Sequence, residues 1–530
     1  MKSRDQSKII ARMNHALHRF DPALDEAAAL FAAFRADIRE KLGRGALAQS
    51  VIGKGVMIEG PMGQHPLLYA DYAASGRALI EVERFVLEQV LPVYANPHTQ
   101  ASYCGRSINA LRRVARAEVA RFCGAGPDDA VIFAGNGATA GLQKLVKLFG
   151  ADQRDAAGER ALVLVGPYEH HSNLLPWREC GAEVIELPED AQHGGPDRAG
   201  LLSALQKGAG RRIICAFSAG SNITGALSDT SEISRMVKAH GGKVIWDYAG
   251  AASYTALTMR PAGDVHIDAL VFSPHKFLGG PASSGVLVVR RAAAVIDKPS
   301  APGGGTVSFV SPSGQDYLAD LAAREEAGTP NAIGDIRTAL AVIVRAEIMA
   351  AGLDGAASEM CRAALTRWRA HPRIEVLGRA MDAHLPIVSF RLRDAAGELV
   401  HHQLVTRILS DCFGVQARGG CACAGPYVHQ LLDIDAAQSQ AIHRAIRAGD
   451  ELAKPGFVRV NFSPLMSAEE LERLIASVEA VADSSARYAR HFAANPATAV
   501  FEPVATGCNI STTAQHPDDY GKPGHMALCN

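Results

Sequence analysis

"AVIFAGNGATAGLQKLV", residues 130–146, passes from a β-rich run through a glycine turn into a helix-like stretch. The first amides of such a helix point at an anion, and Gly137, Ala138 and Thr139 are the natural contacts for a phosphate. A nicotinamide-binding turn is the rival reading. The glycines fall at 135, 137 and 141 instead of the G-x-G-x-x-G spacing, and no acidic strand end follows about 20 residues later. The rival is set aside.

Runs of the same β-rich type recur downstream: "ALVLVG" (161–166), "RIICAF" (212–217), "KVIWD" (243–247), "ALVFS" (269–273) and "GVLVV" (285–289). Helix-length stretches separate them, which predicts an α/β domain over 67–330 with a mainly parallel sheet covered by helices. Residues 1–66 read as a helical extension packed on that body. Asp21 can cap, Pro22 suits the first helical position, and Leu24, Ala28, Phe31, Phe34 and Ile38 recur at roughly helical spacing. Beyond "EEAGTPN" (325–331), a long helix through "DIRTALAVIVRAEIMAAG" and strands such as "LPIVSFRL" predict a smaller α+β domain over 331–490. Residues 491–530 read as an irregular tail, rich in Pro, Gly, Thr and Asn.

The chain has 530 residues, 48% of them hydrophobic, with 54 basic and 55 acidic side chains. It is long enough for more than one domain, and its balanced charge favours neither nucleic acid nor an anionic membrane as partner. The Arg-rich stretch "RSINALRRVARAEVAR" reads as a solvated helix face. The first residues lack the apolar core of a signal peptide, and no apolar run approaches the ~20 residues of a membrane span, so the expected location is the cytoplasm. Ten scattered cysteines make no disulfide framework. Cys421 and Cys423 alone sit close together, and with no second Cys or His pair nearby, no metal site is expected.

"FSPHKFLGG" (272–280) places Ser273, His275 and Lys276 where a strand leaves the sheet, at the edge where open α/β sheets bind ligands. A lysine there is either a surface residue or one that forms a Schiff base with a carbonyl cofactor, activated by partial desolvation. Asp247 ends the strand "KVIWD" 29 residues upstream, at the same edge. A carboxylate in that position needs a cationic partner, which the protonated ring nitrogen of pyridoxal 5'-phosphate supplies. In "YEHHSNLLPW" the adjacent His170 and His171 face opposite ways, a poor metal pair, so that one imidazole stacked on a flat ring is the better reading. Asn222 in "SNITG" could bond the cofactor's phenolic oxygen or be an ordinary turn residue.

The ordered set "GAT", "EHHSN", "SNxxG", "WD", "SPHK", "EEAGTPN" and "ARGGCACAG" resembles the class V aminotransferase family of pyridoxal-phosphate enzymes, nearest its cysteine desulfurase and selenocysteine lyase branch, over about Leu68 to Val478. The resemblance implies fold type I and a homodimer with shared active sites. It implies that Lys276 holds the cofactor, Asp247 pairs with its ring nitrogen, His170 stacks on the ring and Asn222 binds its oxygen. Thr139, Ser273 and His275 would hold the phosphate, and Thr329 would reach the neighbour's phosphate. Arg459 would grip an amino-acid carboxylate, while Arg418 and Cys423 stand at the spacing of the persulfide-forming loop. A sulfur-acceptor protein is an implied partner. A transaminase on the same cofactor and a non-catalytic scaffold are the competing functions. Gly250 stands where desulfurases usually carry glutamine, and the 35 residues between Cys423 and Arg459 exceed the usual gap.

Overall fold

Seven strands build the central sheet of the computed structural model, which describes residues 21–379 and 384–504. They are β1 (Asp129–Phe133), β2 (Leu162–Val165), β3 (Glu183–Glu186), β4 (Ile213–Ser218), β5 (Lys243–Asp247), β6 (Ala269–Phe272) and β7 (Val286–Arg290). Their order across the sheet is β1-β7-β6-β5-β4-β2-β3. All neighbours are parallel except β7, which runs antiparallel to both β1 and β6. β3 carries Glu at both ends and lies at the sheet edge, where one apolar pair, Val184 and Ile185, makes a weaker signal than the buried runs.

Alternation along each strand explains why both faces are covered. Leu162 and Leu164 join one core, whereas Val163 and Val165 join the other, and Val131/Phe133 against Ala130/Ile132 repeat the pattern. Burying each such side chain contributes about 1.5–3 kcal/mol. On the first face lie α1 (Pro22–Gly43), α2 (Tyr103–Phe122) and α4 (Ala332–Ala350); on the second lies α3 (Gly137–Leu148). Gly141 allows α3 to close on β6, since a Cβ there would sit 2.9 Å from Val271 Cγ1.

Several expectations change in detail. α1 buries Ala27, Phe31, Phe34 and Ile38, while Ala28 is exposed and Leu24 half-buried. The spacing 27, 31, 34, 38 keeps one stripe on the body. Asp21 sits at the helix start without a side-chain cap and accepts from Arg113 instead. Residues 57–66, assigned to the helical extension, form a β-hairpin. α4, expected to open the small domain, is buried along almost its whole length in the large core, against α1 and α2. Nor is the α2 arginine face simply solvated: Arg112 pairs with Glu326 and Asp335, and Arg116 with Glu326.

The smaller sheet is antiparallel, β8 (Ile374–Val376), β9 (Ile387–Arg393), β11 (Phe457–Asn461) and β10 (Arg418–Gly420) in spatial order, backed by α5 (His402–Phe413) and α7 (Ala468–Ala489). The long gap before Arg459 holds a helix, α6 (Ala436–Arg447). Part of the expected irregular tail is ordered: Phe492–Asn495 pairs with Val500–Pro503, with Phe492 buried and Phe501 set against His401. Residues 505–530 of that tail, and residues 1–20, lie outside the described residues. Among the described residues no helix is long and apolar enough to cross a membrane.

Candidate active site

The carboxyl ends of β1, β2, β4, β5 and β6 share one edge, and a cavity of about 170 Å³ opens there. It is lined by Gly137, Ala138, Thr139, His170, Asn222, Asp247, Ser273, His275 and Lys276, nine of the residues read from the sequence as cofactor-binding. Asp247 and the turn holding Lys276 follow adjacent parallel strands. Burial pushes the Lys276 ammonium down to about 8, against the pull of the Asp247 carboxylate. Burial raises Asp247 in turn, opposed by the amide of Ala249, which donates to Oδ1 at 2.8 Å, and by Lys276. Both groups are pushed toward neutrality, which leaves a nucleophilic amine beside a carboxylate awaiting a stronger cationic partner.

This displacement has a pH signature. An ordinary lysine titrates near about 10.4. Capture of an added aldehyde cofactor by the stripped protein is expected to quicken about tenfold per pH unit up to pH 8 and then level off, because the neutral amine is the reactive form. Stopped-flow absorbance checks this. A rate still climbing tenfold per unit between pH 9 and 10 would contradict it.

Other groups lining the cavity suit an anion. Ala138 N donates to Ser273 Oγ at 2.9 Å, and Thr139 Oγ1 lies 2.7 Å from Ser172 Oγ. Gly137 has φ +72°, and a Cβ there would come within 2.9 Å of His275 Cε1 and 3.0 Å of Ser273 Oγ, so a side chain would fill the cradle. The α3 amides add their partial positive charge. Burial holds the His275 ring at about 4. Thr329 is not brought to this cavity: it is exposed in a loop, and its neighbour Pro330 borders a different cavity that also includes His98 and Arg112.

His170 and His171 have different surroundings. His170 lines the cavity, and its Nδ1 accepts from Ser172 N at 3.1 Å, which fixes the proton of the neutral ring on Nε2. Burial, then Lys276, pushes it down to about 4, so it presents an uncharged flat face at neutral pH. His171 turns to the cysteine loop: its N donates to Cys423 O at 2.7 Å, and its Nε2 accepts from Gly425 N at 3.0 Å. Asn222 borders the cavity, but its amide donates to Ala422 O at 3.0 Å. A Cβ at Gly250 would meet Gly220 O at 3.2 Å and Asn222 Cβ at 3.5 Å, so the Asn222 loop closes over the place of the missing glutamine.

Arg418 and Arg459 stand opposite each other across β10 and β11, a pairing that repels unless compensated. Asp71 compensates both: Oδ2 accepts from Arg418 Nε and Oδ1 from Arg459 Nη2, each at 3.0 Å. Arg459 also donates to Asn222 O at 3.1 Å, is 2% exposed and keeps a buried Nε without a partner. The arginine expected to grip a carboxylate already holds one. Asp71 escaped the sequence reading, although an acid ending the apolar run "LLYAD" signals in the same way as Asp247. Glu169 escaped it too. Fully buried beside Asp247 and pushed up to about 7, it accepts from Ser218 N and Oγ, Gly166 N and Asn173 Nδ2.

Cys421 and Cys423 are the exposed cysteines among the described residues. Burial pushes Cys361 up to about 12 and Cys412 to about 11, and Cys123 and Cys215 higher still. Those thiols are inert packing groups.

A family model described as aminotransferase class V matches residues 68–474. A probable cysteine desulfurase of Vibrio cholerae is 27% identical over 427 residues, which cover 79% of this chain and 94% of the relative. The cysteine desulfurase of Serratia proteamaculans is 28% identical over 371 residues, covering 68% and 85%. Among solved structures, the apo cysteine desulfurase of Thermococcus onnurineus NA1 has a TM-score of 0.63 at 23% identity, covering 78% of this chain and 94% of that one. The cysteine desulfurase CsdA (S-sulfonic acid) of Escherichia coli has a TM-score of 0.61 at 24% identity with the same coverage. At these identities the structural likeness speaks for the fold, a central mixed sheet of fold type I.

Proposed function

From the premise that this chain belongs to the class V aminotransferase family, we propose that it is a pyridoxal-5'-phosphate-dependent cysteine desulfurase that takes the sulfur of free L-cysteine onto Cys423 and releases alanine. The observation that carries this reading is the exposed cysteine turn, fastened to the cavity of Lys276 by His171 and Asn222. A transamination site has no use for a thiol there.

The residues present fit the cofactor. Gly137, Ala138, Thr139, Ser273 and His275 would hold its phosphate, His170 would face its ring, Asp247 would pair with the ring nitrogen, and Lys276 would take its carbonyl. When bound, the group supplies an electron sink for the pair left at the substrate's α-carbon. Lys276, its ammonium pushed down to about 8, is suited to remove the α-proton near neutral pH. Asp247, walled from water, keeps the sink cationic. Cys423 attacks the substrate sulfur as thiolate: a bond forms between the two sulfurs, the substrate Cβ–S bond breaks, and its electron pair stays with carbon. Protonation there completes alanine, so cysteine and thiol become alanine and persulfide, with atoms and electrons balanced. Arg418, half-exposed at the start of the loop that carries Cys423, is held by Asp71.

Arg459 receives the substrate carboxylate through its free Nε or by exchange with Asp71. A second copy of the chain completes the site. Supporting this are Thr329, exposed and away from its own cavity, and the exposed apolar residues Leu87, Tyr103, Phe309 and Val310. A sulfur-acceptor protein would collect the persulfide.

The reading is tested by a panel of amino acids, scored for alanine and for keto acids. Alanine from cysteine without pyruvate is expected, and selenocysteine is expected to react by the same bond changes. Keto acids across the panel would make a transaminase the better account, and a colourless protein that takes up no cofactor would make it a scaffold. Asp247→Asn is expected to retain cofactor yet turn over at least a hundredfold more slowly, a loss of about 2.7 kcal/mol in the barrier. Unchanged kinetics would place the ring's partner elsewhere.

A further inference from the structure

The chain carries two exposed thiols in one turn, and the proposed reaction uses one. Cys421 and Ala424 close that turn, Ala424 N donating to Cys421 O at 3.4 Å, with Ala422 and Cys423 both in the left-handed region at φ +50° and +56°. Neither is glycine, so the conformation is strained and is kept by its surroundings. Those surroundings are three hydrogen bonds, two donated by His171 and Asn222 to the carbonyls of residues 423 and 422 and one accepted by His171 from Gly425 N. The loop is therefore bent at the cavity's edge. Two Cα steps of about 3.8 Å reach at most about 7.6 Å when extended, and a turn shortens this into the window of about 4.4–6.8 Å that a disulfide requires. Each thiol is the other's nearest sulfur by chain connectivity, and both are exposed, where other thiols can reach them.

We propose that Cys421 is a second catalytic cysteine that discharges the persulfide of Cys423. The inference rests on the desulfurase reading and adds a step to it. The Cys421 thiolate attacks Sγ of Cys423. A Cys421–Cys423 disulfide bond forms, the bond from Cys423 Sγ to the outer sulfur breaks, and hydrosulfide leaves with the electron pair. The outer sulfur is reduced to sulfide as the Cys421 sulfur is oxidised, while the Cys423 sulfur keeps the disulfide level it already had in the persulfide, so no outside oxidant takes part. A dithiol reductant reopens the disulfide for another turnover. Without an acceptor or reductant the enzyme would release one sulfide per site and stop with its loop closed, which limits uncontrolled sulfide production.

The test uses the full-length holoenzyme, one equivalent of L-cysteine per site and no reductant, followed by measurement of alanine and sulfide and by mass analysis of the peptide bearing both cysteines. Wild type is expected to yield alanine, an equal amount of sulfide, and a peptide two hydrogens lighter that a dithiol restores. Cys421→Ser, with Cys421→Ala as its companion, is expected to yield the same alanine but at least tenfold less sulfide, its Cys423 heavier by one sulfur atom. The alanine yield shows that the variants fold and bind. Three outcomes would overturn the inference while leaving desulfuration intact: a lasting persulfide on wild-type Cys423, sulfide from the variants at the wild-type rate, or the added sulfur found on Cys421. Absence of alanine from wild type would overturn the desulfurase reading itself, and this step with it.

Discussion

Lys276→Ala is expected to abolish turnover, by at least about a thousandfold, and to remove the visible absorption of the bound cofactor. General-base catalysis by a positioned side chain contributes about 10²–10⁴-fold, and the same amine is the proposed point of attachment. Nothing nearby can substitute. Asp247 is the nearest ionisable group on the adjacent strand and is an acid, and the other lysine that burial lowers to about 8, Lys243, starts β5 at the far edge of the sheet, over the Phe149 ring. Added amines of small size are expected to restore part of the rate in the alanine variant without restoring tight cofactor binding. Absorption spectra and steady-state rates measure both effects. A normally coloured, active Lys276→Ala protein would remove the foundation of the site.

Cys423→Ser is expected to have an equally large effect of a different kind. The cofactor spectrum and the spectral response to added cysteine persist, because Cys423 does not line the cavity and is held to its neighbour His171 through a backbone carbonyl that a serine keeps. Alanine and persulfide formation stop, because a serine hydroxyl is a far poorer attacker of sulfur than a thiolate. Titration with cysteine, followed by absorbance and by alanine release, separates binding from chemistry. If the serine variant made alanine at the parent rate, the sulfur would be leaving by a route that needs no thiol.

The cavity was legible in the sequence because each strand that builds it ends in the same way, an apolar run stopped by a polar or glycine residue. Asp247, Lys276, His170 and Gly137 could each be placed at the carboxyl edge on that signal. Residues whose role depends on the second sheet were not legible. Asp71 follows the two-residue strand Leu68–Tyr69, which pairs with Val415–Gln416, so its two arginine partners lie 347 and 388 positions away. The acid itself ends an apolar run as Asp247 does, but no local pattern announces its two partners. Asn222 lines the cavity, but spacing cannot say which way an amide points, and here it reaches the loop of Cys421 and Cys423. The core that takes α4 was not legible for a related reason: its periodicity shows a buried helix and not which core buries it.

Sulfur transfer to one atom, Sγ of Cys423, is the central step. The holoenzyme treated with a single equivalent of sulfur-labelled L-cysteine, alkylated at once and digested, gives the position of the label directly. The expected result is label on the peptide holding Cys421 and Cys423, or released as sulfide with that peptide closed as a disulfide, in amounts equal to the alanine formed; in Cys421→Ser all of it stays on Cys423. Alanine formed with no label on that peptide and no sulfide, or pyruvate formed in place of alanine, would contradict it.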